Sequence, residues 1–268
     1  MSTERHDGLG RRELLTAAVA TASVSLVRAQ APAAAPVTPV QTTLADAPLA
    51  EGITITVERR DDIVLIGINR PAKQNRLDSV TRRRLGEALY AYEHDASLRA
   101  AVLFGHGERF TRGIDVDEAQ VTLLAAPGAA PATPTIDILG KATPPPGKPV
   151  ICVAHGETWN LGHEIFLACD IRIAQQGSYP IGLPEAGLSI CPGWGGTNLL
   201  PARLDPSDAI RRTASGATMM FDDAVKAGFF DRVATSAEDL IATALGVVVQ
   251  MRGTPLKRDG SPRNWIGR

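Results

Sequence analysis

The sequence predicts an α/β fold, because segments with the pattern of buried strands alternate with segments of helical periodicity. Three short runs carry this prediction, "AAVLFG", "KPVICVAHG" and "DIRIAQ". Each is apolar and rich in β-branched or small residues, as expected of a strand that is covered on both faces. Strands that alternate with helices imply parallel pairing through right-handed crossovers.

The first predicted elements are a β-hairpin and a helix. The stretch "ITITVERRDDIVLIGIN" contains two alternating apolar runs separated by the charged tetrad Arg59 to Asp62, which is typical of a hairpin. From Ser79 to His94 the apolar residues recur at helical spacing, with Asp78 or Ser79 as the N-cap. These elements open a folded domain predicted to span residues 51–252.

The later elements are separated by a long loop. The stretch "LLAAPGAAPATPTIDILGKATPPPGKP" is rich in Pro and Gly, so it predicts a mobile loop with one short helical piece at most. A helix is expected to begin near Gly162, between two of the buried strands. The pattern "DDAVKAGFFDRVA" predicts a helix, a turn and a strand, and Ala237 to Met251 predicts the last helix. Residues 253–268 are expected to form a polar tail.

Composition favours a globular protein that does not bind polyanions. The 268 residues are 44% hydrophobic, which suffices for a sizeable core. Lys and Arg number 28 against 29 Asp and Glu, and no basic stripe with interleaved aromatic residues is present, so a nucleic-acid partner is not expected. Cys152, Cys169 and Cys191 lie in or beside apolar runs without CxxC spacing, which predicts buried free thiols.

The N-terminus resembles a twin-arginine signal peptide. Arg11 and Arg12 precede an apolar run from Leu14 to Val27, which is short for a membrane span, and small residues at 29–31 suit cleavage. Residues 1–31 are therefore predicted to engage the twin-arginine export machinery and to send the protein to the periplasm or outside the cell. The alternative is an anchoring helix left in place, and a non-functional signal would leave the protein cytoplasmic. Residues 32–50 predict a Pro- and Ala-rich tether.

Five ordered motifs resemble one family. They are "INRPAKQNRLD", "RFTRGIDVDEA", "HGETWNLGHEIFLACDIRIA", "IGLPEAGLSICPGWGGTNLLPARL" and "TASGATMMFDDAVKAGFFDRV". Together they resemble the crotonase superfamily of enoyl-CoA hydratases and isomerases over residues 53–252. The resemblance implies a spiral of ββα repeats with two roughly perpendicular sheets, assembled as a homotrimer or hexamer. The chain turns polar at "KRDGSPRNWIGR", so the helical region at the C-terminus is expected to be shortened.

The resemblance also implies an oxyanion hole. In the family, two backbone N–H groups bind the thioester oxygen of an acyl-CoA, and by position these are the amides of Ile114 and Leu161. Gly113 precedes the first donor and matches the family pattern. At the second donor, Asn160 and Leu161 stand where the family has a glycine-rich stretch, and Gly162 is the glycine that is kept.

Glu164 and Glu185 match the two glutamates with which hydratases of the family activate water. One carboxyl accepts a proton from the water while the other donates a proton to the α-carbon. Both being present favours hydration of a double bond conjugated to a carbonyl, with coenzyme A as part of the substrate and no other cofactor or metal. The structural alternative is that Glu164 caps its own helix and Glu185 pairs with a nearby arginine.

Further residues are expected in the substrate pocket with Gly113 and Gly162, namely Trp159, His163, Trp194 and Gly195. The two indoles would shorten or reshape the acyl pocket, although filling core space is the commoner role of a tryptophan. His163 adjoins Glu164 and is a candidate base or ligand, although a satisfied core histidine is commoner.

An export signal conflicts with a cytoplasmic CoA substrate, so two other functions stay open. The first is a CoA-independent hydrolase that cleaves carbon–carbon bonds in diketone-like substrates, as does a crotonase branch with Asn and His in place of the glycines. The second is an exported, catalytically silent protein that binds an apolar ligand between Trp159 and Trp194.

Overall fold

The computed structural model describes residues 52–118, 133–140 and 143–251. The predicted signal peptide, tether and polar tail lie outside these residues, as does part of the predicted loop. The described parts of that loop contain turns and bends without a helix or a strand.

Nine strands and six helices are described. The strands are β1 (Ile55–Arg60), β2 (Ile63–Ile68), β3 (Ala100–Gly105), β4 (Val150–Ala154), β5 (Thr158–Trp159), β6 (Ile171–Gln175), β7 (Pro180–Gly182), β8 (Met219–Met220) and β9 (Arg232–Ala234). The helices are α1 (Ser79–His94), α2 (Leu161–Ala168), α3 (Gly196–Leu199), α4 (Pro206–Ser215), α5 (Phe221–Lys226) and α6 (Ala237–Gln250), and short 3₁₀ helices lie at Pro71–Lys73 and Pro184–Leu188.

The larger sheet has six strands in the order β1-β2-β3-β4-β6-β9. β1 pairs antiparallel with β2, and the other neighbours pair in parallel. The hairpin turns at Asp61, whose φ is 54°, and α1 begins after Asp78, whose carboxylate accepts a hydrogen bond from the Thr81 N–H. The predicted α/β class, the hairpin, the three buried strands and the N-cap at Asp78 are confirmed.

The apolar core lies on both faces of this sheet. Alternate residues of each strand point to opposite faces, so Ile63 and Leu65 of β2 join one cluster while Val64 and Ile66 join the other. α1 and α2 cover one face. α6 covers the opposite face with Leu240, Ala244, Val247 and Val248 among other residues. Within the described residues no helix is both long and apolar enough to cross a membrane.

The smaller sheet has three strands in the order β5-β7-β8, and the sequence did not predict them as strands. They have only two or three residues each, which is too short for an alternating pattern to be recognised. β5 pairs in parallel with β7, placing Trp159 opposite Gly182, and the Asn160 N–H donates to the Gly182 carbonyl at 3.2 Å. This pairing sets the start of α2 beside the 3₁₀ helix that follows β7.

The cysteines differ in part from the expectation. Cys152 and Cys169 are buried free thiols, as predicted, but Cys191 is exposed. Its apolar neighbours Leu188 and Ile190 are also exposed, so the apolar run that suggested burial lies on the surface.

Candidate active site

Two chain segments that carry the predicted oxyanion donors are held side by side. The Trp159 N–H donates to the Thr111 carbonyl at 3.3 Å. Gly162 lies against the same residue, since a Cβ there would be 2.6 Å from Thr111 Cγ2 and 2.7 Å from Thr111 O. Glycine is therefore required at position 162 for the start of α2 to approach this segment.

The segment with Ile114 is fixed by contacts on both of its sides. Gly113 has φ 88°, and its carbonyl accepts a 2.8 Å hydrogen bond from the Leu77 N–H. The Asp115 N–H donates to the Leu77 carbonyl at 3.1 Å, and the Asp115 carboxylate forms a 3.1 Å ion pair with Arg70. These contacts orient the Ile114 amide between two anchored residues.

The two predicted donors converge on one oxygen. Oδ1 of Asn160 accepts a 2.7 Å hydrogen bond from the Leu161 N–H and lies 3.5 Å from the Ile114 nitrogen, a longer contact. Two backbone donors directed at one acceptor are the arrangement that an oxyanion hole requires. The sequence singled out Asn160 as a departure from glycine, but it did not predict that this side chain would meet both amides.

Glu164 is buried in the first turn of α2, with 1% of its surface exposed. Its Oε1 accepts hydrogen bonds from the N–H groups of Trp194 at 2.8 Å and Gly196 at 2.9 Å. These donors belong to the start of α3, so the Glu164 carboxylate links α2 to α3. Glycine at 196 permits the contact, because a Cβ there would be 3.2 Å from Glu164 Cγ.

Glu185 lies in the 3₁₀ helix after β7 and is 2% exposed. Among the described residues, its Oε2 has no hydrogen-bond partner and no arginine forms an ion pair with it. The pKa of Glu185 is raised to about 7, chiefly by burial and to a smaller extent by the charge of Glu164, while a hydrogen bond from its own N–H opposes the rise. A carboxyl of this pKa can hold or release a proton near neutral pH.

The His163 ring lies within the apolar core. It is fully buried and stacks on Phe229 with ring centroids 5.4 Å apart and planes 10° apart. Burial lowers its pKa to about 3, and neither ring nitrogen has a hydrogen-bond partner among the described residues. The ring contributes packing at this position through its contacts with Phe166 and Phe229.

A cleft of about 740 Å³ opens between α1, residues 133–139 with Thr143, and the start of α2. Leu85 and Leu89 of α1 and Leu161 and Ile165 of α2 give it an apolar lining, and Arg82 lies in it as well. Neither Glu164 nor Glu185 belongs to this lining. The cleft thus reaches the candidate site at Leu161, the second predicted donor.

Both predicted pocket tryptophans are half-buried and carry an arginine over one face. The Arg82 guanidinium lies 5.2 Å from the Trp194 ring centroid, and that of Arg112 lies 4.1 Å from Trp159. Gly195, with φ 107°, is the N-cap of α3 and lets the chain turn so that the next N–H reaches Glu164. Among the described residues no group of three or more His, Cys, Asp or Glu is placed to bind a metal ion.

Known proteins are similar to this chain in sequence and fold. The sequence model of the family "Enoyl-CoA hydratase/isomerase" matches residues 58–257. Carnitinyl-CoA dehydratase from Proteus mirabilis is 33% identical over 185 residues, which are 67% of each chain. The crystal structure of an enoyl-CoA hydratase from Mycobacterium marinum has a TM-score of 0.64 at 28% identity, covering 75% of this chain and 77% of that one.

A further solved structure agrees with these. A carnitinyl-CoA dehydratase from Mycobacterium avium has a TM-score of 0.63 at 25% identity and covers 74% of this chain and 75% of its own. The crotonase-like fold predicted from the motifs is confirmed, and the protein is an enzyme with enoyl-CoA hydratase-like function. The chain belongs to the enoyl-CoA hydratase/isomerase family.

Proposed function

We propose that the protein catalyses the reversible addition of water to a double bond conjugated with the carbonyl of a CoA thioester. The observation that carries this proposal is the pairing of two buried carboxyls with different environments. Glu164 is fixed by two backbone donors, whereas the pKa of Glu185 is raised to about 7. The relatives are named for the two directions of such a reaction, hydration and dehydration.

Each carboxyl suits a different proton transfer. Two N–H donors stabilise the ionised form of Glu164, so this side chain is the base that accepts a proton from water. Glu185 keeps its proton below pH 7 and is the acid that delivers it to the α-carbon. As the water oxygen bonds to the β-carbon, negative charge moves onto the thioester oxygen, where the amides of Ile114 and Leu161 stabilise it.

The cleft supports a thioester with an apolar acyl chain. Leu85, Leu89 and Ile165 give it apolar walls, and Arg82 and Arg83 add positive charge that suits the phosphates of coenzyme A. We therefore propose coenzyme A as part of the substrate and assign no other cofactor.

Turnover of crotonyl-CoA tests the proposal. Loss of the conjugated double bond is followed by its absorbance, and Glu164→Gln and Glu185→Gln should each lower kcat by about 10²- to 10⁴-fold. Glu108→Gln is the matched control, since the Glu108 side chain is 88% exposed, and its kcat should equal that of the wild type. Turnover within twofold of wild type in both buried variants would remove these roles. Ring opening of cyclic diketones without CoA would instead identify the carbon–carbon bond hydrolase.

We further infer that residues 1–31 direct twin-arginine export and that the folded chains assemble as a homotrimer or hexamer. The paired arginines and the short apolar run support export, and the resemblance to the family supports assembly. Fractionating cells and sequencing the N-terminus of the recovered protein decides the compartment, and hence the access to CoA. An uncleaved protein found only in the cytoplasm would contradict export, and a monomer in light scattering would contradict assembly.

A further inference from the structure

The oxygen position of the proposed oxyanion hole is filled by the protein itself. Oδ1 of Asn160 receives the Leu161 N–H at 2.7 Å and lies 3.5 Å from the Ile114 nitrogen. An amide oxygen and a thioester oxygen are both carbonyl acceptors, so they compete for the same donors. A substrate carbonyl therefore reaches these amides only after the asparagine oxygen has left.

The local backbone holds the side chain in this place. Asn160 has φ 52° and ψ −134°, a conformation that suits glycine and that residues with a Cβ rarely adopt. Gly113 makes room for it, because a Cβ at Gly113 would lie 2.7 Å from Asn160 Cβ and 3.0 Å from Oδ1. The hydrogen bond to Leu161 satisfies the oxygen and opposes rotation of the side chain away from the hole.

The Asn160 side chain can nevertheless leave this position by rotating. Asn160 is only half-buried, and a rotation about its Cα–Cβ bond moves the oxygen away from the two amides without changing the backbone. Glu164 and Glu185 are 1% and 2% exposed and do not line the large cleft, which agrees with a closed arrangement of the site.

We propose that Asn160 is a specificity-determining residue, whose side-chain oxygen occupies the oxyanion hole and must be displaced by the substrate carbonyl. This inference rests on the proposed function, since it concerns the same two donors. A ligand that binds only the open arrangement has its affinity reduced by the fraction of molecules that are open. The side chain thus selects for carbonyl compounds that compete well with an amide oxygen.

Asn160→Gly tests this directly. Glycine suits the backbone conformation and removes the oxygen, so KM for crotonyl-CoA should fall about tenfold while kcat stays within twofold. Asp61→Gly is the matched control, because Asp61 also has positive φ, 54°, but lies exposed in the β1–β2 turn. Its KM should equal that of the wild type.

Asn160→Asp should change KM in the direction opposite to Asn160→Gly. The side chain has nearly the same shape, but a charged oxygen is a stronger acceptor for the two amides, so KM should rise about tenfold. This variant keeps the hydrogen bond to Leu161, and it also checks that the glycine result does not come from misfolding.

Amide hydrogen exchange of Leu161 and Ile114, measured by NMR without any ligand, separates this inference from the proposed function. Exchange at Leu161 should be about tenfold faster in Asn160→Gly than in the wild type and unchanged in Asp61→Gly. Equal exchange at Leu161 in wild type and Asn160→Gly overturns the inference, whatever the turnover. Faster exchange with an unchanged KM overturns the selecting role. If no variant turns over crotonyl-CoA, the proposed function fails, and the exchange result still decides whether Asn160 occupies the hole.

Discussion

The Glu185 carboxyl occupies a position in which its ionised form is poorly stabilised. It is 2% exposed, its Oε2 has no hydrogen-bond partner among the described residues, and the charge of Glu164 acts on it. A protein gains nothing in stability from such a residue, since burying an unpartnered carboxyl opposes folding. A proton-transfer role accounts for its presence, because that role needs a group whose pKa is near the working pH.

The unfavourable burial of the ionised Glu185 carboxyl should make the free energy of unfolding depend on pH. The pKa of Glu185 is about 7 in the folded chain and near 4.5 when unfolded, so between these values the folded state binds more protons. The free energy of unfolding should therefore fall as pH rises from about 4.5 to 7, by roughly 3 kcal/mol from this residue. Glu185→Gln should lack this contribution and become more stable than the wild type at pH 8.

Urea unfolding at pH 5 and pH 8 measures the difference, with Glu108→Gln as the exposed control. The wild type should lose stability relative to Glu185→Gln between the two pH values, and Glu108→Gln should follow the wild type. Parallel pH profiles for wild type and Glu185→Gln would show that the folded carboxyl titrates normally.

At the scale of elements, α2 joins several parts of the site within eight residues. Leu161 supplies a donor, Gly162 makes the close contact with Thr111, and Glu164 binds the amides at the start of α3. A shift of this helix would therefore change the hole and the carboxyl pair together. The pairing of β5 with β7 limits such a shift, because it fixes the residues that precede α2.

Two helical glycines give a matched test of this packing. Gly162→Ala puts a Cβ 2.6 Å from Thr111 Cγ2, so it should destabilise the fold by about 1–3 kcal/mol and lower turnover. Gly246→Ala in α6 meets nothing within 4 Å, so it should stabilise the fold by about 0.5–1 kcal/mol through helix propensity and leave turnover unchanged. Thermal unfolding with crotonyl-CoA assays distinguishes them, and equal effects at both positions would contradict the close contact at Gly162.

At the scale of the whole molecule, the three thiols differ in burial: two lie in the core and one is exposed. Cys152 and Cys169 lie in the cluster on the α1 and α2 side of the sheet, and burial raises the pKa of the Cys152 thiol. Cys191 lies on the surface, five residues before α3 begins at Gly196. Accessibility of the thiols should therefore report on the integrity of the core.

A thiol reagent added to the native protein should modify Cys191 rapidly, and all three cysteines should react after denaturation. Cys191→Ser should abolish the rapid phase without changing thermal stability. Rapid reaction of Cys152 or Cys169 in the native protein would show that the sheet face beside α2 opens to solvent.

The sequence predicted elements whose pattern repeats over several residues. The β1–β2 hairpin, α1 with its cap at Asp78, the buried strands and α6 all have such patterns. β5, β7 and β8 are too short to show one, and their pairing depends on the tertiary fold. The motifs identified Glu164 and Glu185 as a pair by family resemblance. The hydrogen bonds from α3 to Glu164 and the position of Asn160 Oδ1 depend on residues distant in sequence, so no local pattern indicated them.

The backbone at Asn160 has an evolutionary consequence. Its positive φ suits glycine, and a residue with a Cβ in such a region costs about 1–3 kcal/mol unless other contacts offset the strain. Drift under selection for stability alone would therefore tend toward glycine at this turn. A lineage that retains asparagine keeps a conformation that is harder to form. Natural selection would then be preserving the function of the carboxamide.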